Sequence, residues 1–158
     1  MTVSAAPAAP AAPVFAVADT GVLLAAFNGR DDLHKAGVRA LNVPKILIVS
    51  PLVLAELDHL LHTRAGERAA VDAVTRLGAL AGQGRLQIAA VDRPVLAEAE
   101  QLMRRHLGMR LGLEDCVNAV LAWRLTRPAL LAFDKHYAAV LAPRRPGEKL
   151  LEVHPGPP

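Results

Sequence analysis

Four acidic side chains sit where an acid is costly: Asp19, Glu56, Asp115 and Asp134. Asp19 lies between two apolar runs in VFAVADTGVLLAAF, and Asp134 closes another in LLAFDKHY. Glu56 interrupts the apolar stripe of SPLVLAELDHLL, where its neighbours at helical spacing are Leu52, Val53 and Leu60. Asp115 opens LEDCVNAVLAWRL, with Asn118 and Ala119 sharing its face and the small Ala119 and Ala122 leaving room for a close neighbour. An ionised carboxylate beside a core needs a helix N-terminus, hydrogen bonds or a cation to offset its charge. Carboxylates gathered together also repel, by on the order of 4 kcal/mol for two about 4 Å apart at an effective dielectric of 20. An all-oxygen, acid-rich cluster suits a hard divalent ion such as Mg²⁺ or Mn²⁺, and four such charges balance two ions. Two ions about 4 Å apart are the usual apparatus for cutting phosphodiesters: one activates the attacking water and the other stabilises charge on the leaving oxygen.

Each acid also has a plainer reading. Asp19 and Asp115 could be helix N-caps, worth roughly 1 kcal/mol each. Asp134 could be a turn residue, and Glu56 a half-exposed helix residue. Taken one at a time these suffice, but they do not explain why all four arise at or near strand carboxyl ends. Asp92 is a control. It follows a strand and precedes a helix, yet with Pro94 close behind it reads as a plain cap. Asp58, two residues after Glu56, points roughly 200° away around the helix and is set aside.

The elements that must position these acids alternate along the chain. Apolar runs at 14–18, 46–50, 86–91 and 129–133 predict strands, and 149–153 predicts a fifth at the edge. Helices are predicted over 20–27, 31–42, 51–62, 65–82, 92–106 and 114–125. Pro51 and Pro94 fit first turns, and the Gly82/Gly84 pair ends the fourth helix. Alternation of this kind predicts an α/β domain with a largely parallel sheet, in which ligands bind beyond the carboxyl ends of the strands. Asp19 and Asp134 each follow a strand directly, so parallel strands bring both to one sheet edge.

The chain has 158 residues, enough for one domain with a real core, and its apolar content of 53% includes only 3% aromatic residues. Ala, Val and Leu must therefore fill that core. Residues 1–13, MTVSAAPAAPAAP, have little to bury and predict a disordered tail; 154–158, HPGPP, predict a second, short one. The Ala/Pro start lacks a basic n-region and is a poor signal peptide, and no apolar run reaches the roughly 18 residues a membrane span needs. A lone cysteine, Cys116, excludes an internal disulfide framework. A soluble, cytoplasmic protein is expected. A formal charge of +3 leans weakly toward a polyanionic partner.

DTGVLLAAF after an apolar strand, VLAEL in the helix after the second strand, LEDCVNAVLA, and LLAFDKHY occur in this order. Together they resemble the PIN-domain ribonucleases, and at this compact size the VapC toxin branch of toxin–antitoxin pairs. The resemblance spans roughly residues 14–153. It implies a three-layer α/β/α domain with four or five strands, and an endoribonuclease that uses one or two Mg²⁺ or Mn²⁺ ions to cleave single-stranded or loop RNA. Carried over, Asp19, Glu56, Asp115 and Asp134 become catalytic, metal-holding acids. Thr20 matches a hydroxyl residue that bonds a carboxylate or water, and Asn118 supports the acids from behind. The resemblance also implies a homodimer and a VapB-like antitoxin whose C-terminal segment fills the acidic groove. Two positions depart from the pattern. Gly21 stands where relatives often have Ser or Asn, and Ala132 where they often have Thr, which removes possible hydrogen bonds that tune metal affinity.

Other residues carry less. His59 and His62 lack the third ligand that a zinc site would want. Cys116 reads as a small buried apolar residue, and Trp123 as packing. Arg110 and Lys135 are candidate RNA contacts beside the acids; Arg104, Arg105, Arg144 and Arg145 fit solvated helix ends equally well. Two competing functions remain open at this point. One is a non-catalytic PIN-fold RNA-binding or scaffold module. The other is an aspartyl phosphotransferase, which would want a second acid at position 21. The Gly-rich phosphate loop of a nucleotide-binding protein is missing.

Overall fold

The computed structural model describes residues 11–156, so the expected N-terminal tail falls almost wholly outside them. Five strands form one all-parallel sheet: β1 Phe15–Ala18, β2 Ile46–Val49, β3 Leu86–Ile88, β4 Ala129–Ala132 and β5 Glu152–Pro155. Their order across the sheet is β3-β2-β1-β4-β5. The central strand β1 pairs with β2 through Val17↔Ile48 and with β4 through Val17↔Leu130.

Successive strand residues feed opposite cores, as the period of two requires. Ala16, Ala18, Leu47, Val49, Ala129 and Leu131 face one side. Helices α1 Thr20–Phe27, α2 His34–Leu41, α3 Pro51–Arg64 and α4 Glu67–Gly82 cover it. Val17, Ile48, Leu130 and Ala132 face the other side, under α5 Arg93–Arg105, α6 Leu113–Trp123 and the short α7 Tyr137–Val140. The three-layer α/β/α arrangement is the one expected. Burial on both faces is why the strands read as continuous apolar runs rather than as alternating ones.

Local signals start several helices. Ser50 caps α3, accepting the Val53 N–H at 3.2 Å, with Pro51 in the first turn. Asp92 caps α5, accepting the Val95 N–H at 3.0 Å, which is the plain-cap role expected of it. Helix α2 begins at His34 rather than at 31, because Asp31 Oδ1 first accepts the Leu33 N–H in a turn.

Two features depart from expectation at the C-terminal end. Helix α7 was not predicted. Strand β5 lies three residues later than 149–153, so that His154 and Pro155, expected in a tail, pair with β4. The Glu152 N–H donates to Pro128 O at 2.8 Å, and Arg127 Nε donates to both Glu152 carboxylate oxygens at 2.8 Å, fixing that register. A proline is tolerated there because β5 is an edge strand with a single neighbour.

Candidate active site

Parallel pairing of β1 with β4 delivers Asp19 and Asp134 to the same edge of the sheet. Asp19 is buried at 7% exposure, and its N–H donates to Leu131 O at 2.9 Å, joining the end of β1 to β4. Its plainer role is also real but weak: it is the N-cap of α1, with Oδ2 accepting the Gly21 N–H at 3.4 Å. Asp134 is exposed. Its Oδ1 accepts the His136 N–H at 2.8 Å, so it too makes the turn its plainer reading expected. His136 Nδ1 lies 3.1 Å from the other oxygen.

Asp115 sits in the third position of α6 rather than at its cap. Gly112 is the cap, and Asp115 Oδ2 accepts its N–H at 3.0 Å. Glu56 projects from the second turn of α3 and is exposed. All four acids line one open cleft of about 710 Å³ at the carboxyl ends of the strands.

A fifth acid, Glu114, lines the same cleft and was not expected there. Thr20 Oγ1 donates to Glu114 Oε1 at 2.5 Å, which is the carboxylate bond foreseen for Thr20, made to an unforeseen partner. Glu114 also shares a hydrogen bond with Glu56. The sequence carried one signal for it. CVNAVLA at 116–122 is apolar on every side but for Asn118, which marks α6 as a helix buried all round, and the structure buries each of those residues, so an acid pair in its first turn looks into a cleft.

Two buried side chains brace Asp19. Asn118 Nδ2 donates to Asp19 Oδ1 at 3.2 Å, from a position with no solvent exposure. The Tyr137 hydroxyl donates to the same oxygen at 2.8 Å, and nothing in the sequence reading pointed to it. Arg64 lines the cleft as well, whereas Arg110 and Lys135 are exposed outside its lining. Arg110 takes a left-handed φ of 53° in the turn before α6.

The electrostatics of this cleft are those of uncompensated negative charge. Among the described residues none of the five acids pairs with a lysine or arginine; His136 on Asp134 is the nearest approach to a cationic partner. Burial pushes the Asp19 carboxyl up to about 6, reinforced by Asp115 and Asp134 and opposed by the Tyr137 bond. Burial and the bond to Glu56 push Glu114 up to about 8, while that same bond holds Glu56 below the ordinary glutamate value. The pair thus holds one proton between them, on the more buried Glu114. Burial, with repulsion from Asp134, also raises Asp115. Cys116, raised to about 11 by burial, is a packed thiol and not a nucleophile.

This donor set fits a hard divalent cation. It is all oxygen, it lacks Arg or Lys partners, and Asn118 Oδ1 is a buried acceptor without a protein donor among the described residues. As the side chains stand, no three His, Cys, Asp or Glu among the described residues converge on one point. The proton between Glu56 and Glu114 and the cap bonds of Asp19 and Asp115 hold the oxygens in other duties, which a cation must displace.

Residues 16–141 match the PIN domain model. The chain belongs to the PIN-domain family. It is 34% identical over 129 residues to Ribonuclease VapC26 of Mycobacterium tuberculosis, a match covering 80% of this chain and 92% of that protein. That likeness places it among the VapC ribonucleases, the enzyme class its motifs implied. Among solved structures it resembles VapC20 of Mycobacterium tuberculosis, described as a Sarcin-Ricin loop cleaving toxin. The TM-score is 0.69 at 25% identity, over 78% of this chain and 93% of that one. VapBC2 from Rickettsia felis, bound to a DNA fragment from their promoter, shares the fold with a TM-score of 0.58 at 16% identity, over 88% of this chain and 98% of that one. In this PIN-domain chain the two departures leave the acids in place. A Cβ at Gly21 would lie 3.5 Å from Asp19 Oδ2, an ordinary contact, and Ala132 is fully buried beneath the site.

Proposed function

We propose that this VapC-family ribonuclease hydrolyses RNA phosphodiester bonds with Mg²⁺ or Mn²⁺, held by Asp19, Glu56, Asp115 and Asp134 with Glu114 as a fifth acid. The observation that carries this reading is five carboxylates in one open cleft at the strand ends with no lysine or arginine partner among the described residues. When bound, such ions make a water nucleophilic near neutral pH and stabilise charge on the leaving oxygen.

The chain's own residues do the rest. Asn118 and Tyr137 hold Asp19 by one oxygen. Thr20 holds Glu114 against Glu56, and the proton that pair carries leaves as the cleft takes up positive charge. An open cleft suits a single strand or loop whose phosphates reach the acids. Arg64 on its wall, with Arg110 and Lys135 outside it, supplies cationic contacts for flanking phosphates.

The same negative cleft suits a cationic inhibitor. Under this reading the chain is a toxin silenced by a VapB-like antitoxin that places an arginine among the acids, and it works as a homodimer in the cytoplasm. Among the described residues no helix is long and apolar enough to cross a membrane. The test is cleavage of a structured RNA by purified protein. Activity should require Mg²⁺ or Mn²⁺, vanish with EDTA, and fall by on the order of a thousandfold in Asp19→Asn. Cleavage that survives either treatment overturns the reading.

A further inference from the structure

Tyr137 is the one tyrosine of the chain, and it is buried to 1% exposure at the start of α7. Its hydroxyl donates to Asp19 Oδ1 at 2.8 Å. The Asn118 amide donates to that same oxygen at 3.2 Å and to the phenol oxygen at 3.1 Å, closing a three-membered ring of hydrogen bonds. Because Asn118 donates into the phenol oxygen, the phenol proton is committed to Asp19. Asp19 Oδ1 therefore has two donors and is turned to the interior. Oδ2, held by the Gly21 N–H alone at 3.4 Å, is the oxygen left for the cleft.

Tyr137 also stands three residues after Asp134, just past the turn that Asp134 closes on the His136 N–H at 2.8 Å. Its hydroxyl thus fastens the loop of the last acid to the first acid. A phenylalanine would fill the same volume without bringing a polar group into the core, where an unbonded hydroxyl is costly.

We propose that Tyr137 is a positioning residue of the reaction: with Asn118 it locks Asp19 so that Oδ2 alone faces the cation, and it ties the Asp134 turn to that setting. The inference rests on the divalent-ion reading above. Groups that orient a ligating carboxylate typically change metal affinity 10- to 100-fold when removed, although they touch no metal.

The test compares Mn²⁺ titration calorimetry of the wild type, Tyr137→Phe and Val140→Ala. Val140 is 1% exposed on the same short helix, so its truncation loosens α7 and leaves the hydroxyl in place. Tyr137→Phe should bind Mn²⁺ about tenfold more weakly and lose kcat at saturating ion, with KM for RNA unchanged. Val140→Ala should melt earlier and keep the wild-type affinity. A second measurement needs no variant at position 137. With ¹³Cζ-labelled tyrosine the full chain gives one ring resonance, which should shift as Mg²⁺ saturates and stay still in Asp19→Asn. Affinity in Tyr137→Phe within about twofold of wild type overturns the proposal. So does equal weakening in Val140→Ala, or a resonance unmoved by bound Mg²⁺. If Tyr137→Phe fails to fold, the wild-type resonance decides. If the wild type itself takes up no Mn²⁺, the ion reading fails first and this one with it.

Discussion

At the scale of single residues, Glu114 changes what the cleft is before any cation arrives. Its carboxyl accepts from Thr20 and holds a proton against Glu56, so the two glutamates together carry one negative charge rather than two. Glutamine at 114 copies that protonated form: it keeps an acceptor for Thr20 and gains a donor for Glu56. Glu114→Gln should therefore fold normally yet bind Mn²⁺ about tenfold more weakly, since the carboxylate it removes can no longer ionise to meet the ion. Calorimetry at fixed pH measures this, and an unchanged affinity would make Glu114 a protonated bystander. Asp92 gives the contrasting case. Its acid caps α5 and is not among the residues that line the cleft, so Asp92→Ala should cost about 1 kcal/mol of stability in a urea melt and leave cleavage intact.

At the scale of elements, the site depends on how closely α1 and α2 pack, since α1 begins at the Asp19 cap. Gly37 makes that approach possible. A Cβ there would meet Ala26 N at 2.8 Å, Val22 O at 3.0 Å and Ala25 Cβ at 3.1 Å, and two of these are helical backbone atoms that cannot swing aside. Gly37→Ala should destabilise by roughly 1–3 kcal/mol, seen as a lower urea midpoint at unchanged m-value. Elements whose causes are local were legible in advance. β1, β2 and β4 announce themselves as apolar runs, α3 by Ser50 and Pro51, and α5 by Asp92. Elements set by distant partners were not. β5 takes its register from Arg127 reaching Glu152, and α7 is a single turn held by the burial of Tyr137 and Val140. The site divides the same way. The four acids betray themselves by interrupting apolar patterns, whereas the bond from Tyr137 to Asp19 joins residues 118 positions apart and leaves no periodic trace.

At the scale of the whole molecule, the acids fall into two populations with opposite effects on stability. Glu98 is paired with Arg124 and Arg144, Glu148 with Arg144 and Glu152 with Arg127, and all three lie below the ordinary glutamate value. What they contribute is fully present above about pH 4.5 and is lost only as pH falls below it. The cleft acids behave in reverse. Asp19 rises from 3.8 to about 6 and Glu114 from 4.5 to about 8, so the folded chain binds protons that the unfolded chain has released. Stability from these groups is complete below the unfolded values and drains away as pH climbs through 6 and 8, with Asp19 alone accounting for on the order of 3 kcal/mol. The thermal midpoint of metal-free protein should therefore peak near pH 5 and fall steadily to pH 8.5. Mn²⁺ competes with those same protons, so its affinity rises with pH. At a hundred times Kd it adds about 2.7 kcal/mol, and the midpoint measured in its presence should be nearly level from pH 6 to 8.5. Asp19→Asn removes the most buried of these charges and should flatten the metal-free curve between about pH 4 and 6, leaving the fall toward pH 8 that Glu114 causes, while abolishing most of the Mn²⁺ effect. A metal-free midpoint already level between pH 5 and 8.5 would mean that the cleft carries no uncompensated charge for a cation to neutralise.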